Sequence, residues 1–504
     1  MSTEKATIPA RERSPLAEMF VIAAPTIATM ATYTVMQFAD GLMVSRIKPA
    51  SPVYVTAQGN GGMWTWIAIS FVLGLVGVIN TYVAQHLGKG EPRKGSAYGW
   101  VGVWLSLFFW VLLIPYAMVL PYVFRKLGHE GQTLSLETQY AQICLFGAIF
   151  TMIGRGVGQF FFGLHRAKVP LIAASVAVCV NVAANWVLIY GNLGAPALGL
   201  AGAAYGTVIG SFTEMLVLVM VFLSPRYAKE YGTRAVWKPK FAPIVDVIKL
   251  GWPGALMMVN EMLCWGYLMT GLLPAAGRAA GQSGDLHNAV GWIALRYMHI
   301  AFMPAAGMSI ALTAIVGRCM GMKRPDLAVK RAWLGMYLTI GYMGTCGLFM
   351  VIFREQAVKV FIDPETSPEM IEQMVALGSW VLILACIFQV FDALGMAMTG
   401  VLRGAGDTVW PGVVSIVFCW VTLIGGGHLM IHFWPQMGSI GPWIAASGYI
   451  ILLGLALFVR FLGGKWKTME VIREVGVPSL TQTGPEEDLT APPDAISGVS
   501  PGTP

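Results

Sequence analysis

Twelve stretches of this chain are long and apolar enough to cross a lipid bilayer, and that constrains the fold more than any other feature. A helix needs about 20 apolar residues to span the hydrocarbon core. The sequence offers them near residues 16–44, 60–86, 97–122, 136–163, 170–191, 198–223, 247–275, 288–316, 329–352, 373–400, 410–432 and 438–461. Lipid gives the backbone no hydrogen-bond partner, so each stretch has to satisfy its own peptide groups as a helix. None has the alternation of a barrel strand. Composition agrees: 56% of the 504 residues are hydrophobic and 12% charged, against about a quarter charged in soluble domains. The expected class is an all-α integral membrane protein.

The loops test the count. With the first residues inside, 24 of the 33 lysines and arginines fall on the cytoplasmic side and 7 on the outer side, leaving Arg155 and Arg296 within spans. A bias of that size is the positive-inside rule, and a wrong span count would scramble it. It places the chain in the inner (plasma) membrane with both termini cytoplasmic. It also accounts for the net charge of +7 without a nucleic-acid partner. The first apolar run carries Asp40 and no cleavage pattern, so it reads as a retained helix. The seven cysteines lie in or beside apolar stretches with no CxxC spacing, and read as small buried thiols. The tail from about 475, rich in Pro, Gly, Ser, Thr and acid, is expected to be disordered.

The two halves repeat. Gly88, Pro92, Trp100 and Gly102 match Gly321, Pro325, Trp333 and Gly335 at an offset of 233, and Pro196, Gly199 and Gly202 match Pro435, Gly438 and Gly441 at 239. Gly163 and Pro170 likewise match Gly404 and Pro411. Glycine and proline are tied to backbone geometry, so matched sets imply matched folds. Six spans per repeat gives parallel repeats, which suit alternating access around a central cavity. The expected organisation is a cytoplasmic segment 1–15, an N-lobe 16–223, a cytoplasmic loop 224–246, a C-lobe 247–464 and a tail 465–504.

A carboxylate in the bilayer centre costs about 2.5–3.5 kcal/mol on insertion scales. Asp40 lies in span 1, Glu261 in span 7 and Asp392 in span 10. Glu261 lies about 18 Å along its helix from Lys249, and Asp392 about 16 Å from Arg403, so the two reach similar depths. The repeat aligns Glu261 with Tyr33, Asp392 with Thr151 and Asp40 with Leu268. The fold itself therefore does not require these acids. Each is either a functional acid or a structural one paired with a cation such as Arg296. Glu214 in span 6 is read both ways, with Arg155 either pairing with it or snorkelling. Asn181 and Asn185, one turn apart in span 5, share a helix face, and either bind neighbouring helices or line a site with Asp40. His299 reads more readily as a satisfied interior histidine than as a proton relay.

These features resemble the multidrug and toxic compound extrusion (MATE) family, in its NorM-like branch, from about Leu16 to Gly464. The resemblance rests on Ala24-Pro25 with Asp40, on Ala84-Gln85-His86-Leu87-Gly88, and on Asn185 leading to Gly194-Ala195-Pro196-Ala197-Leu198-Gly199. In the second half it rests on Leu250-Gly251-Trp252-Pro253, on Met303-Pro304 with Gly307, and on Leu402-Arg403-Gly404-Ala405-Gly406-Asp407-Thr408. It implies a V-shaped exporter of organic cations driven by inward H+ or Na+. Asp40, Asn181 and Asn185 would form an N-lobe site, and Glu261 with Asp392 a C-lobe cation site. Two departures stand out. Phe388 occupies a position, one turn before Asp392, where relatives often carry tyrosine. The connection 276–290, with Gly281, Gly284, Asp285 and His287, is also longer than expected.

The reading is a secondary antiporter for small, cationic organic compounds, working as a monomer in the bilayer without a cofactor. Protonation or Na+ at Glu261 and Asp392 would compete with a cationic substrate for the same charge. Asn260, Gln389 and Thr399 are nearby oxygen candidates for Na+. The absent hydroxyl at Phe388 tilts the expectation toward H+. The alternative is a lipid-linked precursor flippase of the same superfamily, which Arg155 and Arg296 would suit. No HExxH or GxSxG motif suggests an enzyme.

Overall fold

A computed structural model describes residues 14–49, 51–126, 129–362 and 367–472. The expected disordered tail and most of the N-terminal segment lie outside these residues. The described chain is all-helical, with twelve helices long and apolar enough to cross a membrane. In chain order they are α1 Pro15–Ser45, α2 Val53–Gly88, α3 Pro92–Lys126, α4 Gly131–Gly163, α5 Lys168–Tyr190 and α6 Leu200–Phe222. The second half supplies α7 Phe241–Ala279, α8 Gly284–Gly321, α9 Pro325–Ile352, α10 Pro368–Ala405, α11 Val409–Phe433 and α12 Ile440–Leu462.

Local sequence explains many boundaries. Proline opens α1, α3, α9 and α10, where its missing N–H would have had no partner. The Ser14 hydroxyl accepts from the Ala17 amide at 3.3 Å and caps α1. Gly191, at φ 75°, closes α5 in the left-handed conformation.

The repeat reappears in packing. In the first half α4 lies against α2, α3 and α6; in the second, α10 lies against α8, α9 and α12. Trp100 meets Phe222 edge-on at 5.7 Å, and Trp333 meets Phe461 edge-on at 5.9 Å. These are the same contacts at offsets of 233 and 239. Gly199 and Gly438 both hold φ 55° at the entrance to the last helix of their half.

The halves touch through α1 on α8 and α2 on α7, contacts that exchange under the repeat, and through α2 crossing α8. At this crossing a Cβ on Gly88 would sit 2.1 Å from the Arg318 carbonyl oxygen, and one on Gly321 2.1 Å from that of Gln85. Only glycine permits such an approach. Hydrogen bonds joining the halves gather toward this end, which carries the basic loops. Asn80 Nδ2 donates to Ile310 O (3.1 Å), Thr81 Oγ1 to Arg403 O (2.9 Å) and Gln85 Nε2 to Gly404 O (3.1 Å). His165 Nε2 donates to Ala314 O (3.1 Å), and Glu18 of α1 pairs with Arg331 of α9 at 2.6 Å.

Three expectations need correction. The connection 276–290 is not a long loop. Helix α7 runs to Ala279 and α8 begins at Gly284, with His287 clasped between Ser439 Oγ and Gln282 Oε1, each at 2.7 Å. The segment 224–246 is not loop throughout, since α7 already begins at Phe241. It forms a short helix, Pro225–Tyr231, and then runs along α3, where the indoles of Trp100 and Trp104 donate to the Thr233 and Trp237 carbonyls at 2.7 and 3.0 Å. The thiols are not uniformly buried: Cys264, Cys319 and Cys419 are, Cys144, Cys346 and Cys386 are half-buried, and Cys179 is exposed. A small side chain on a membrane helix is as compatible with a lipid-facing position as with a packed one.

Candidate functional site

In the first half, α1 brings Asp40 against α5 and α6. Asp40 is 7% exposed, and Asn181 and Asn185 are fully buried. Asn185 Nδ2 donates to Asp40 Oδ1 at 2.5 Å and lies 3.5 Å from Asn181 Oδ1. Thr207 of α6 approaches Asp40 Oδ2 at 3.5 Å while donating more closely, at 3.0 Å, to its own helix at Ala203 O. Spacing by one turn aims both amides at the carboxylate. Gly206 makes room for Asn185, where a Cβ would stand 1.9 Å from Asn185 Oδ1, and Gly210 does so for Asn181, where a Cβ would stand 2.9 Å from Asn181 Cβ. Asn185 Oδ1 and Asn181 Nδ2 are buried without a hydrogen-bond partner. The cluster thus holds a carboxylate, an unfilled acceptor and an unfilled donor, a set that can take up a small cation or a proton.

In the second half, Glu261 Oε1 accepts from Ser415 of α11 at 3.3 Å and from Tyr449 of α12 at 3.2 Å, and those two hydroxyls are 3.2 Å apart. Asp392 has no hydrogen-bond partner among the described residues, and it lies close enough to Glu261 for the two carboxylates to repel. Neither acid forms an ion pair among the described residues. Arg296 is not their partner; its guanidinium lies 5.2 Å from the Phe361 ring centroid. Arg403, read from sequence as a loop cation, sits in the last turn of α10 and attracts Glu261 electrostatically.

The weaker candidates divide. Gln389 is 1% exposed with an unpartnered Nε2. Asn260 Oδ1 already accepts from the Trp420 indole at 2.8 Å. Phe388 packs into the apolar cluster around Cys264 and Leu268. Two hydroxyls from other helices, Ser415 and Tyr449, reach Glu261. Sequence reasoning missed these two and Thr207, because a hydroxyl inside a span carries no alarm of the kind a charge does. Glu214 and Arg155 do not pair directly. Tyr33 stands between them, donating to Glu214 and offering its ring to Arg155. His299 Nε2 is buried without a partner, against the expectation of a satisfied histidine.

Two of the four helices that carry the second-half acids and hydroxyls, α7 and α11, change pitch nearby. A π-turn spans Leu268–Leu272 in α7, two turns past Glu261, and another spans Cys419–Gly425 in α11, one turn past Ser415. Such turns widen a helix and free backbone groups, and they often accompany functional sites.

A duplicated twelve-helix bundle with carboxylates set within the spans of each half defines a polytopic membrane protein of the transporter class. The MatE family model matches residues 25–187 and 266–425, more than half of the chain, and the chain belongs to that family of transporters. Its curated relatives include a probable multidrug resistance protein NorM of Thermotoga maritima, 26% identical, which covers 78% of this chain and 82% of the relative. A NorM of Mesorhizobium japonicum is 26% identical over 89% of this chain and 94% of the relative. Among solved structures, an outward-facing multidrug resistance MATE family transporter of the MOP superfamily matches with TM-score 0.79 at 19% identity, covering 90% of this chain and 97% of the other. A eukaryotic MATE transporter matches with TM-score 0.76 at 18% identity, over 90% and 96%.

Proposed function

We propose that this protein is a secondary antiporter that exports small organic cations, in multidrug fashion, in exchange for an inward-moving monovalent cation. The observation that carries the reading is the pair Glu261 and Asp392: two carboxylates within the membrane, close enough to repel, Glu261 held by two hydroxyls, Asp392 without a hydrogen-bond partner, and neither in an ion pair among the described residues. Charge in that setting is costly unless neutralised. A proton, Na+ or a substrate ammonium each neutralises it, so ion and substrate compete. Each biases the halves through its differential affinity for their two arrangements. Asp40, Asn181 and Asn185 form the corresponding N-lobe site.

Residues 16–223 and 247–464 act as the two rocking lobes, in the inner membrane with the basic end cytoplasmic. The contacts gathered there then seal the cytoplasmic side. For the ion, the absent hydroxyl at Phe388 favours H+. The hydroxyls of Ser415 and Tyr449 favour Na+ in turn, because hard cations want several oxygens and two stand beside Glu261. The NorM names of the relatives support multidrug efflux over the flippase reading. The test is efflux from proteoliposomes under a pH gradient without Na+ and, separately, a Na+ gradient at clamped pH and voltage. Efflux driven by one or both supports exchange; efflux driven by neither overturns it.

A further inference from the structure

The first half carries a second polar layer that the two candidate sites leave unused. The Tyr33 hydroxyl of α1 donates to Glu214 Oε1 of α6, and the Arg155 guanidinium of α4 lies 3.7 Å from the Tyr33 ring centroid. Arg155 and Glu214 make no direct ion pair among the described residues, and Arg155 Nε is buried without an acceptor. An acid kept only as counter-ion to a membrane arginine would meet it face to face, because the two-point guanidinium–carboxylate contact is the strongest pairing open to both. Here a phenol holds them apart.

Two relations give the layer meaning. In the second half, the acid Glu261 on the first helix accepts from the phenol of Tyr449 on the last. In the first half the phenol is on the first helix and the acid on the last. The bond joins corresponding helices with acid and phenol exchanged, and Tyr33 aligns with Glu261 under the repeat. The second relation is axial. Tyr33 lies seven residues before Asp40 on α1, and Glu214 seven after Thr207 on α6. Two turns, about 10 Å, therefore separate this layer from the Asp40 layer, toward the basic end. The Thr151–Ser211 hydrogen bond, 3.0 Å between α4 and α6, lies at the intervening level. Tyr33 also packs with Met303 and Ile310 of α8, at the boundary with the other half.

We propose that Glu214 is a second station for the coupling cation in the first half, between Asp40 and the basic end, with Tyr33 as its positioning residue. The nearby charge of Arg155 shortens the stay of a cation there, as a transit station requires. This inference rests on the exchange reading above.

The test uses full-length protein in proteoliposomes with ethidium as substrate. The variant Arg155→Met/Glu214→Gln removes both charges together, so no charge is left buried alone, and Tyr33→Phe removes only the hydroxyl. Two rates are compared: efflux driven by whichever ion gradient drives the wild type, and ethidium–ethidium exchange with no gradient. Driven efflux is expected to fall about tenfold in the double variant and about threefold in Tyr33→Phe, while exchange stays within about twofold of wild type. Unchanged driven efflux in the double variant would make the layer a structural charge pair and overturn the proposal. Equal loss of both rates, in the double variant and in Tyr33→Phe, would overturn it too. A wild type driven by neither gradient refutes ion exchange itself, and this inference falls with it.

Discussion

Asp392 and Glu261 illustrate how far single residues reach. Asp392→Asn and Glu261→Gln each remove a charge without changing shape, so the protein should insert normally while gradient-driven efflux falls at least about tenfold. Proteoliposome efflux set beside membrane yield checks this; normal efflux by either variant would return that residue to a structural role. Gly206→Ala should act on the other site without touching its acid. The added methyl collides with Asn185 Oδ1, and overpacking of this kind costs about 1–3 kcal/mol. A lowered melting temperature together with weaker substrate binding is the expected pair of readouts. The acids were legible in the sequence because charge among apolar residues is rare and expensive. Their hydroxyl partners were not, because Ser415, Tyr449 and Thr207 are unremarkable inside a span and only the fold brings them near. The same blindness hid the role of Tyr33, which turns Arg155 and Glu214, read from sequence as either a direct pair or a snorkelling arginine beside an acid, into a three-residue layer.

At the scale of elements, the sequence specified twelve spans and the repeat, since apolar length and glycine–proline spacing are local signals. It misjudged the segments between them. The stretch 276–290 is rich in turn-forming residues, among them Gly281, Gly284 and Asp285, yet α7 and α8 absorb most of it, because tertiary contacts such as the His287 clasp outweigh local propensity. The crossing of α2 and α8 is the element contact most exposed to test. Gly88→Val and Gly321→Val each force the helices apart by the same geometry, so their effects should match. Cys319, 6% exposed beside this crossing, is a native reporter. In a protein keeping only that cysteine, maleimide labelling should rise about fivefold or more in both variants, as a shift of about 1 kcal/mol toward an open arrangement requires. Labelling at the wild-type rate would mean the crossing does not hold this end closed.

The whole molecule is closed at one end by groups that titrate as well as by packing. Burial holds the His165 imidazole down at about 4, against an ordinary 6.5, so at neutral pH it is uncharged and donates to Ala314 O. When the halves part and water reaches it, the ordinary value returns. The open arrangement then binds more protons between those two values. Acidification from about 6.5 toward 4 therefore weakens closure, and raising the pH above 7 should do nothing. Spin-label distances between the halves should lengthen over that window in the wild type and less so in His165→Gln; identical curves would remove His165 from the closure. The linker has a mechanical corollary. Residues 233–237 are strapped to α3, and Tyr82 and Tyr98 hold Asp246 in the first turns of α7 at 3.0 and 3.3 Å. The start of α7 is thus bolted to the first half while Glu261, fifteen residues on, sits among helices of the second. A swing of one half against the other, as the exchange proposed above requires, would be taken up as bending inside that helix. Pro253, which cannot donate to the carbonyl one turn back, is its soft point. The segment carrying the second-half acid is therefore built as a leaf spring clamped at both ends, and under the proposed exchange the load of the swing would fall on the backbone that aims the carboxylate.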